Sequence, residues 1–172
     1  MRLTIQCGED APELLASVHE LRIAAWEPII GRSDALERFG LDEHDNRSWH
    51  CVLEDDTGEK LVAGGRLTVC GDLEALPESA SFEPFADQMS LPLGVAGRLV
   101  VHPDHQNRGL AERIITTRLD LARDLELVEV WSETRREQVH GFVRHGYGVV
   151  GSSSDRSVVG DWEILRAPVR AV

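Results

Sequence analysis

Gln106, Gly109 and Ala111 fall in the spacing Q-x-x-G-x-A, just past the apolar run Leu99-Val100-Val101 and the breaker His102-Pro103. The pattern reads as a strand that ends, a short loop, and a helix that opens at small residues. The first N–H groups of a helix have no intrahelical acceptor, and the helix dipole adds positive potential there. Such a start suits an anion, a pyrophosphate among them, provided that no large side chain blocks the approach. Gly109 and Ala111 keep it open, Arg108 adds a charged donor at the rim, and Asn107 and Leu110 complete the segment. A plain strand-to-helix turn with a surface arginine fits the same residues, and the spacing alone leaves both readings open. A dinucleotide fingerprint is a poor rival because the glycines of G-x-G-x-x-G are missing, and a P-loop is excluded because no Gly-Lys-Ser/Thr follows.

The elements around this segment follow from periodicity and breakers. Arg2 to Gln6 alternates as a strand, and Leu14, Val18, Leu21 and Ala25 predict a helix over Pro12 to Trp26. A second short helix is expected over Ser33 to Phe39. Trp49 to Leu53 and Leu61 to Cys70 read as a hairpin about the turn Asp55-Asp56-Thr57-Gly58. Gly71 to Pro92, broken by Pro77, Pro84 and Pro92, reads as a loop carrying a short helix. Val95 to Val101 is a strand. Gly109 to Asp124 is a helix whose inner face holds Ala111, Ile114, Ile115, Leu119 and Ala122. Leu127 to Trp131 is an apolar strand interrupted by Glu129, and Arg135 to His145 is a helix stopped at Gly146. Tyr147 to Val150 and Trp162 to Leu165 close the chain as a pair of strands around a turn at Gly151 to Asp155. Strand–helix–strand–helix–strand order of this kind implies an α/β fold with a mixed sheet and at least one parallel crossover.

The totals narrow the function. With 172 residues, 42% of them hydrophobic, the chain suits one compact domain, residues 1–172. Eighteen Lys and Arg against 30 Asp and Glu give a net charge of −12. That balance argues against a nucleic-acid partner, which needs clustered cations, and against docking on an anionic membrane. Cys7, Cys51 and Cys70 are odd in number and far apart, which is neither a disulfide framework nor a zinc-ligand spacing, so reduced, buried thiols are expected. The start of the chain carries no apolar core of signal-peptide length, and no segment reaches the ~20 apolar residues of a membrane span, so a cytoplasmic location is expected. His102, His105 and His140 lack any supporting carboxylate–histidine spacing and are read as solvated; no metal is expected.

Taken together, these residues resemble the GNAT superfamily of N-acetyltransferases, whose signature is Q/R-x-x-G-x-G/A after a strand ending in Val-x-Pro. Gln106, Gly109 and Ala111 occupy the signature positions, with Val101 and Pro103 upstream, and Gly146-Tyr147 stands where the family's last helix ends in a Gly-Phe pair. The order of elements is similar from the first strand to the last. The resemblance implies a central mixed sheet of six to seven strands flanked by helices, with acetyl-CoA as co-substrate. It implies that Gln106 to Ala111 hold the pyrophosphate and that pantetheine runs along Leu99, Val100 and Val101, with Phe142 against the cofactor. The thioester would then sit where the fourth strand parts from the fifth, its carbonyl polarised by a backbone N–H of the fourth. A small-molecule amine would attack directly.

Several positions depart from the pattern. Phe142 stands where many members carry a proton-donating tyrosine, Arg135 where an asparagine touches the cofactor, and Arg98 where some carry a general-base glutamate. Arg98 is expected either to face the acceptor and bind a carboxylate or to pair with an acid such as Glu129. Arg98-Leu99-Val100-Val101 is also similar to the matching strand of acyl-homoserine-lactone and N-acyl amino acid synthases, which implies a longer acyl donor as an alternative. Glu133, Ser132 and His145 are the candidates for proton transfer, and Trp131 for a wall of the acceptor site. The rival readings are a CoA-binding sensor or structural module without catalysis, and transfer from an acyl carrier protein docked at Arg135, Arg136 and Arg144. A homodimer through an exposed sheet edge is compatible with all of them.

Overall fold

The protein is described by a computed structural model over residues 1–153 and 160–169. Seven strands form one mixed sheet in the order β1-β2-β3-β4-β5-β7-β6. They are β1 (Leu3–Cys7), β2 (Trp49–Glu54), β3 (Leu61–Cys70), β4 (Leu93–Val101), β5 (Glu129–Arg135), β6 (Gly148–Ser152) and β7 (Trp162–Pro168). The helices are α1 (Pro12–Ile30), α2 (Arg32–Phe39), α3 (Ser79–Phe82), α4 (Leu110–Asp124) and α5 (Val139–Val143). β4 and β5 pair in parallel, which two-residue turns cannot achieve; the α4 crossover between them supplies the connection. The expected mixed sheet flanked by helices is therefore present, with seven strands.

Two compact units divide the chain: Met1–Leu67 with Arg98–Ile114, and Thr68–Gly97 with Ile115–Val172. In the first, β1 and β2 pair antiparallel from Leu3↔Leu53 to Cys7↔Trp49, and β2 continues the ladder onto β3. Leu21, Ala25 and Val100 form a small buried cluster with Trp26 and Leu61 packed on it. Gly8 is a place where only hydrogen fits, since a Cβ there would stand 2.1 Å from the Asp45 carbonyl oxygen. The chain passes this closely because Gly8 N–H donates to Ser48 O at 2.9 Å, which fixes the segment that carries Asp45.

In the second unit, Cys70, Leu76, Phe82, Leu93, Val95, Trp131 and Ile164 make the core. The 71–92 segment, expected as a loop with a short helix, folds as α3 followed by a 3₁₀ stretch at Glu83–Gln88, and it contributes Phe82 edge-on to Trp131. β5 pairs with β7 from Glu129↔Pro168 to Arg135↔Trp162, and β7 pairs with β6.

Several boundaries differ from the sequence expectation: β4 begins at Leu93 instead of Val95, and β5 spans Glu129–Arg135 instead of Leu127 to Trp131. α1 runs to Ile30 through Pro28, because a proline close to a helix C-terminus forfeits one bond only, and Gly31, at φ +82°, ends the helix by donating to Glu27 O. The helix expected over Arg135 to His145 is much shorter: β7 holds β5 extended through Arg135, a 3₁₀ turn fills Arg136–Gln138, and α5 spans Val139–Val143. The expected turn at Gly151 to Asp155 gives its first residues to β6, and Ser154 and Asp155 lie outside the described residues. Cys51 and Cys70 are buried as expected, whereas Cys7 is half-buried.

Phe82 is 1% exposed, so Phe82→Ala removes a ring the core cannot refill. Urea unfolding is expected to show a loss of about 3–5 kcal/mol.

Candidate functional site

The signature segment lies in the first unit. β4 ends at Val101, and His102 N–H donates to Val62 O at 2.9 Å, which keeps the strand end in place. A 3₁₀ turn at Pro103–His105 follows, and Arg108 Nη2 reaches back to Asp104 O at 3.1 Å. Asn107 and Gly109 both adopt left-handed backbone, at φ 59° and 73°. Two left-handed residues this close turn the chain sharply and lead straight into α4, whose first hydrogen bond runs from Arg113 N–H to Gly109 O. Gln106 to Gly109 are exposed, Ala111 is half-buried, and no described atom comes within 4 Å of a Cβ built on Gly109. The helix start is open and glycine-cornered, and the first N–H groups of α4 face it without intrahelical acceptors.

β4 carries the next group of expected residues. Leu99 and Val101 are half-buried and Val100 is buried. Arg98 has φ 54°, a left-handed step in mid-strand that an arginine adopts only at a cost. Its side chain explains how the step is held: Nη1 donates to Arg38 O at 2.8 Å, Nη2 to Asp42 Oδ2 at 2.7 Å, and the guanidinium lies 5.8 Å over the Phe39 ring. Phe39 in turn stacks on Trp26, with centroids 3.9 Å apart. The acidic partner is thus Asp42. Glu129 is engaged elsewhere, accepting from Trp131 Nε1 and from Ser90 N–H, each at 2.7 Å.

Asp42 opens a network that the sequence reading missed. Arg22 and Asp45, each with a side chain 2% exposed, make a two-bonded pair at 2.9 and 2.7 Å. Arg66, with no exposed surface, bonds Asp42 and lies 3.2 Å from Asp45. His50 Nε2 meets Asp45 O at 2.9 Å. Burial alone would raise the Asp45 carboxyl, but the hydrogen bonds and charge of Arg22, with Arg66, outweigh it and hold the group well below the usual carboxylate range. Asp42 is lowered for the same reason, by Arg66 and Arg98 against its burial. Burial pushes the His50 imidazole below its ordinary value. The signal was present in the sequence: Arg22 interrupts the inner face of α1, and Arg66 interrupts the apolar run of β3.

The other expected residues lie in the second unit. Ser132 is 1% exposed and its Oγ donates to Ala96 O at 2.7 Å. Glu133 accepts from Ser81 Oγ at 3.0 Å, and Ser81 in turn accepts from Ser153 Oγ at 3.2 Å. His145 Nδ1 meets Thr116 Oγ1 at 3.2 Å. Trp131 has no exposed surface and is a core residue, with Arg166 5.8 Å over its ring. Phe142, 2% exposed, packs edge-on against Tyr147. Burial pushes the Tyr147 phenol up to about 12, with the Arg118 charge offsetting part of the rise, so it stays protonated. Arg136 is bound to Asp161 and Glu163, and Arg135 lies 3.7 Å from Glu137, so two of the three arginines of the expected basic patch face acids.

Solved structures share this architecture. The chain is similar to an acyl-CoA N-acyltransferase from Pseudomonas aeruginosa at 17% identity, over 97% of this chain and 99% of that one, with a TM-score of 0.67. ElaA from Escherichia coli is similar at 12% identity, over 97% and 99% of the two chains, with a TM-score of 0.68. MesI, a CoA-dependent acyl-homoserine lactone synthase, is similar at 16% identity, over 98% and 89%, with a TM-score of 0.68. No curated protein sequence matches the chain significantly. The Q-x-x-G-x-A helix start lies within residues 15–147, which the sequence profile of the acetyltransferase (GNAT) family matches. The chain belongs to the acetyltransferase (GNAT) family, whose members are transferases. No helix among the described residues is long and apolar enough to cross a membrane.

The network has a pH signature. Folded-state values of Asp42, Asp45 and His50 all lie below their unfolded ones, so each contributes stability above its unfolded value and loses it as pH falls. Unfolding free energy is expected to decline first below about pH 6.5, from His50, and more steeply below about pH 4, from the aspartates. His50→Gln should remove the upper step in a urea series. Asp45→Asn, which strands Arg22, should cost about 3–5 kcal/mol at neutral pH.

Proposed function

We propose that the protein transfers an acetyl group from acetyl-CoA to the amine of a small molecule by direct attack. The observation that carries this reading is the helix start at Gln106–Ala111, whose left-handed Asn107 and Gly109 leave an exposed, uncrowded approach to the α4 N-terminus. There the pyrophosphate would take backbone N–H groups, with Arg108 at the rim. Leu99, Val100 and Val101 would pair with the pantetheine amides. The deprotonated amine forms the new C–N bond at the thioester carbon, the C–S bond breaks, and CoA leaves as its thiolate, which takes up, through solvent, the proton that the nitrogen sheds on becoming an amide. Bringing the two reactants into line supplies much of the rate, which suits a chain whose family tyrosine position is Phe142.

The acceptor would draw on the Ile29–Leu41 segment and on the Gly71–Pro92 segment. In the first unit an open groove of about 500 Å³ runs along α1 and α2, lined by Ala16, Ser17, His19, Glu20, Leu36, Gly40 and Leu41. Apolar walls with Glu20 at the side suit an amine with a hydrocarbon body. An acyl donor longer than acetyl is the second reading, supported by the likeness to a CoA-dependent acyl-homoserine lactone synthase along 98% of the chain.

Calorimetric titration with acetyl-CoA, decanoyl-CoA and free CoA separates these readings. Tight acetyl-CoA binding is expected; a preference for the decanoyl chain would favour the second reading, and no binding to any of the three would remove both. Gly109→Glu, which sets a carboxylate at the phosphate approach, is expected to weaken acetyl-CoA by on the order of 100-fold or more while the far-UV spectrum is unchanged.

A further inference from the structure

β1 is an edge strand, with β2 on one side and no strand among the described residues on the other. The direction of its backbone groups follows from the ladder. Glu54 N–H donates to Arg2 O and Gly8 N–H to Ser48 O, each at 2.9 Å, so the even-numbered positions of β1 are the ones hydrogen-bonded to β2. Opposed residues of an antiparallel pair alternate between bonded and non-bonded. The N–H groups of Leu3, Ile5 and Cys7 therefore point away from the sheet, as do the carbonyls of Leu3 and Ile5. The side chains are open as well: Leu3 and Ile5 are 36% and 38% exposed, and they share one face because they lie two residues apart.

An edge of this kind is a template for another strand, and proteins blunt it with lysine, proline, a bulge or a covering loop. β1, Leu-Thr-Ile-Gln-Cys, has no lysine or proline, and its register with β2 runs from Leu3↔Leu53 to Cys7↔Trp49 without a shift. β6, the other edge strand, is treated differently. It carries Gly148 and Gly151, and its register with β7 shifts between Val149 and Gly151. Of the two edges, β1 is the one that keeps the capacity to pair.

We propose that β1 is a homodimer interface, in which two copies of the chain pair antiparallel about a two-fold axis at Ile5. In that register Ile5 exchanges two hydrogen bonds with the partner's Ile5, and each Cys7 N–H meets the carbonyl of the partner's Leu3. A register shifted by two residues leaves either Cys7 or Leu3 outside the paired strands, so the axis at Ile5 uses the edge most fully. The ends of the strand also match in charge. Antiparallel pairing brings Arg2, whose side chain is 76% exposed, against the turn that carries Glu9 and Asp10 on the other copy. A second copy thus supplies both the flat apolar strand and the opposite charges at its ends. The net charge of −12 on each chain opposes association, but at physiological salt charges more than about 8 Å apart are largely screened. Pairing over five residues is small beside the ~1,600 Å² of a standard interface, so the dimer is weak, with a dissociation constant of about 10–100 μM. The interface is independent of the reaction the protein performs.

Sedimentation velocity over about 5–500 μM protein is expected to show a monomer that passes into a dimer as concentration rises. Ile5→Pro removes an N–H that β2 does not use, so the fold is kept while the dimer weakens at least about tenfold. Ile5→Lys sets two like charges opposite each other at the axis and should act in the same direction. Leu3→Cys reads the register. Position 3 opposes the partner's Cys7 at a Cα separation of about 5.5 Å, within disulfide reach, whereas position 3 and Cys7 of one chain lie about 13 Å apart. Oxidised glutathione is expected to cross-link Leu3→Cys into a covalent dimer on a non-reducing gel, and to leave the double variant with Cys7→Ser monomeric. A wild type that stays monomeric throughout overturns the proposal. So do Ile5 variants that dimerise like the wild type, a missing cross-link, or one that survives Cys7→Ser. Should both Ile5 variants fail to fold, amide hydrogen exchange on the wild type decides: the Ile5 N–H is expected to exchange more slowly as protein concentration rises, and a rate independent of concentration overturns the proposal.

Discussion

Arg22 and Asp45 meet through two hydrogen bonds in a place where each side chain keeps 2% of its surface. Taking both ions out of water costs several kcal/mol apiece, and only near-ideal geometry with further hydrogen bonds offsets it. The further bonds are what organise the first unit. Asp45 also accepts from Asp42 N–H, Asp42 takes Arg66 and Arg98, and the Asp45 carbonyl meets His50. Each bond ties a different element to the chain between α2 and β2: α1 through Arg22, β2 through His50, β3 through Arg66, β4 through Arg98. A stretch without regular structure, Gly40 to Ser48, is thereby tied to four elements of the first unit.

The second unit solves a related problem by different means. The register between β4 and β5 runs as far as Val95↔Trp131, and the next two carbonyls of β4, those of Ala96 and Gly97, accept from the Ser132 hydroxyl and Arg118 Nη1. Buried carbonyls without partners are rare because each costs about as much as a lost hydrogen bond. Side-chain donors let a strand leave its neighbour without that penalty.

Much of this was legible in the sequence. Strand–helix alternation and the Q-x-x-G-x-A spacing led to the mixed sheet and to the helix start, because both depend on short-range pattern. Periodicity located β3 correctly, as Leu61–Cys70. The helix expected after Thr134 failed for a long-range reason: pairing with β7, whose residues lie about thirty positions later, overrides the local preference of Arg135 to Gln138. α3 and the 3₁₀ stretch were blurred by Pro77 and Pro84. The charge network stayed hidden because arginine and aspartate are read as surface residues unless their partners are known. Arg22, Arg66 and Arg118 each interrupt an apolar face, yet only the folded chain shows which carboxylate or carbonyl each one meets. Arg98 shows the limit most clearly: the sequence suggested an acidic neighbour, and the fold supplied Asp42, 56 positions away in the chain, in place of Glu129.

Position 98 carries two demands that no other side chain meets together. The backbone wants a residue at ease with a left-handed φ, which glycine and asparagine are, whereas the surroundings want a guanidinium long enough to reach both Asp42 and the Arg38 carbonyl. Glycine would relax the strand and abandon the aspartate beside Arg66; lysine would keep a charge and lose the forked reach. The route by which such a site could drift is therefore narrow. A change at residue 98 takes from Asp42 one of its guanidinium partners and from the Arg38 carbonyl a donor, and Arg66 and Asp45 in the chain between them feel the loss.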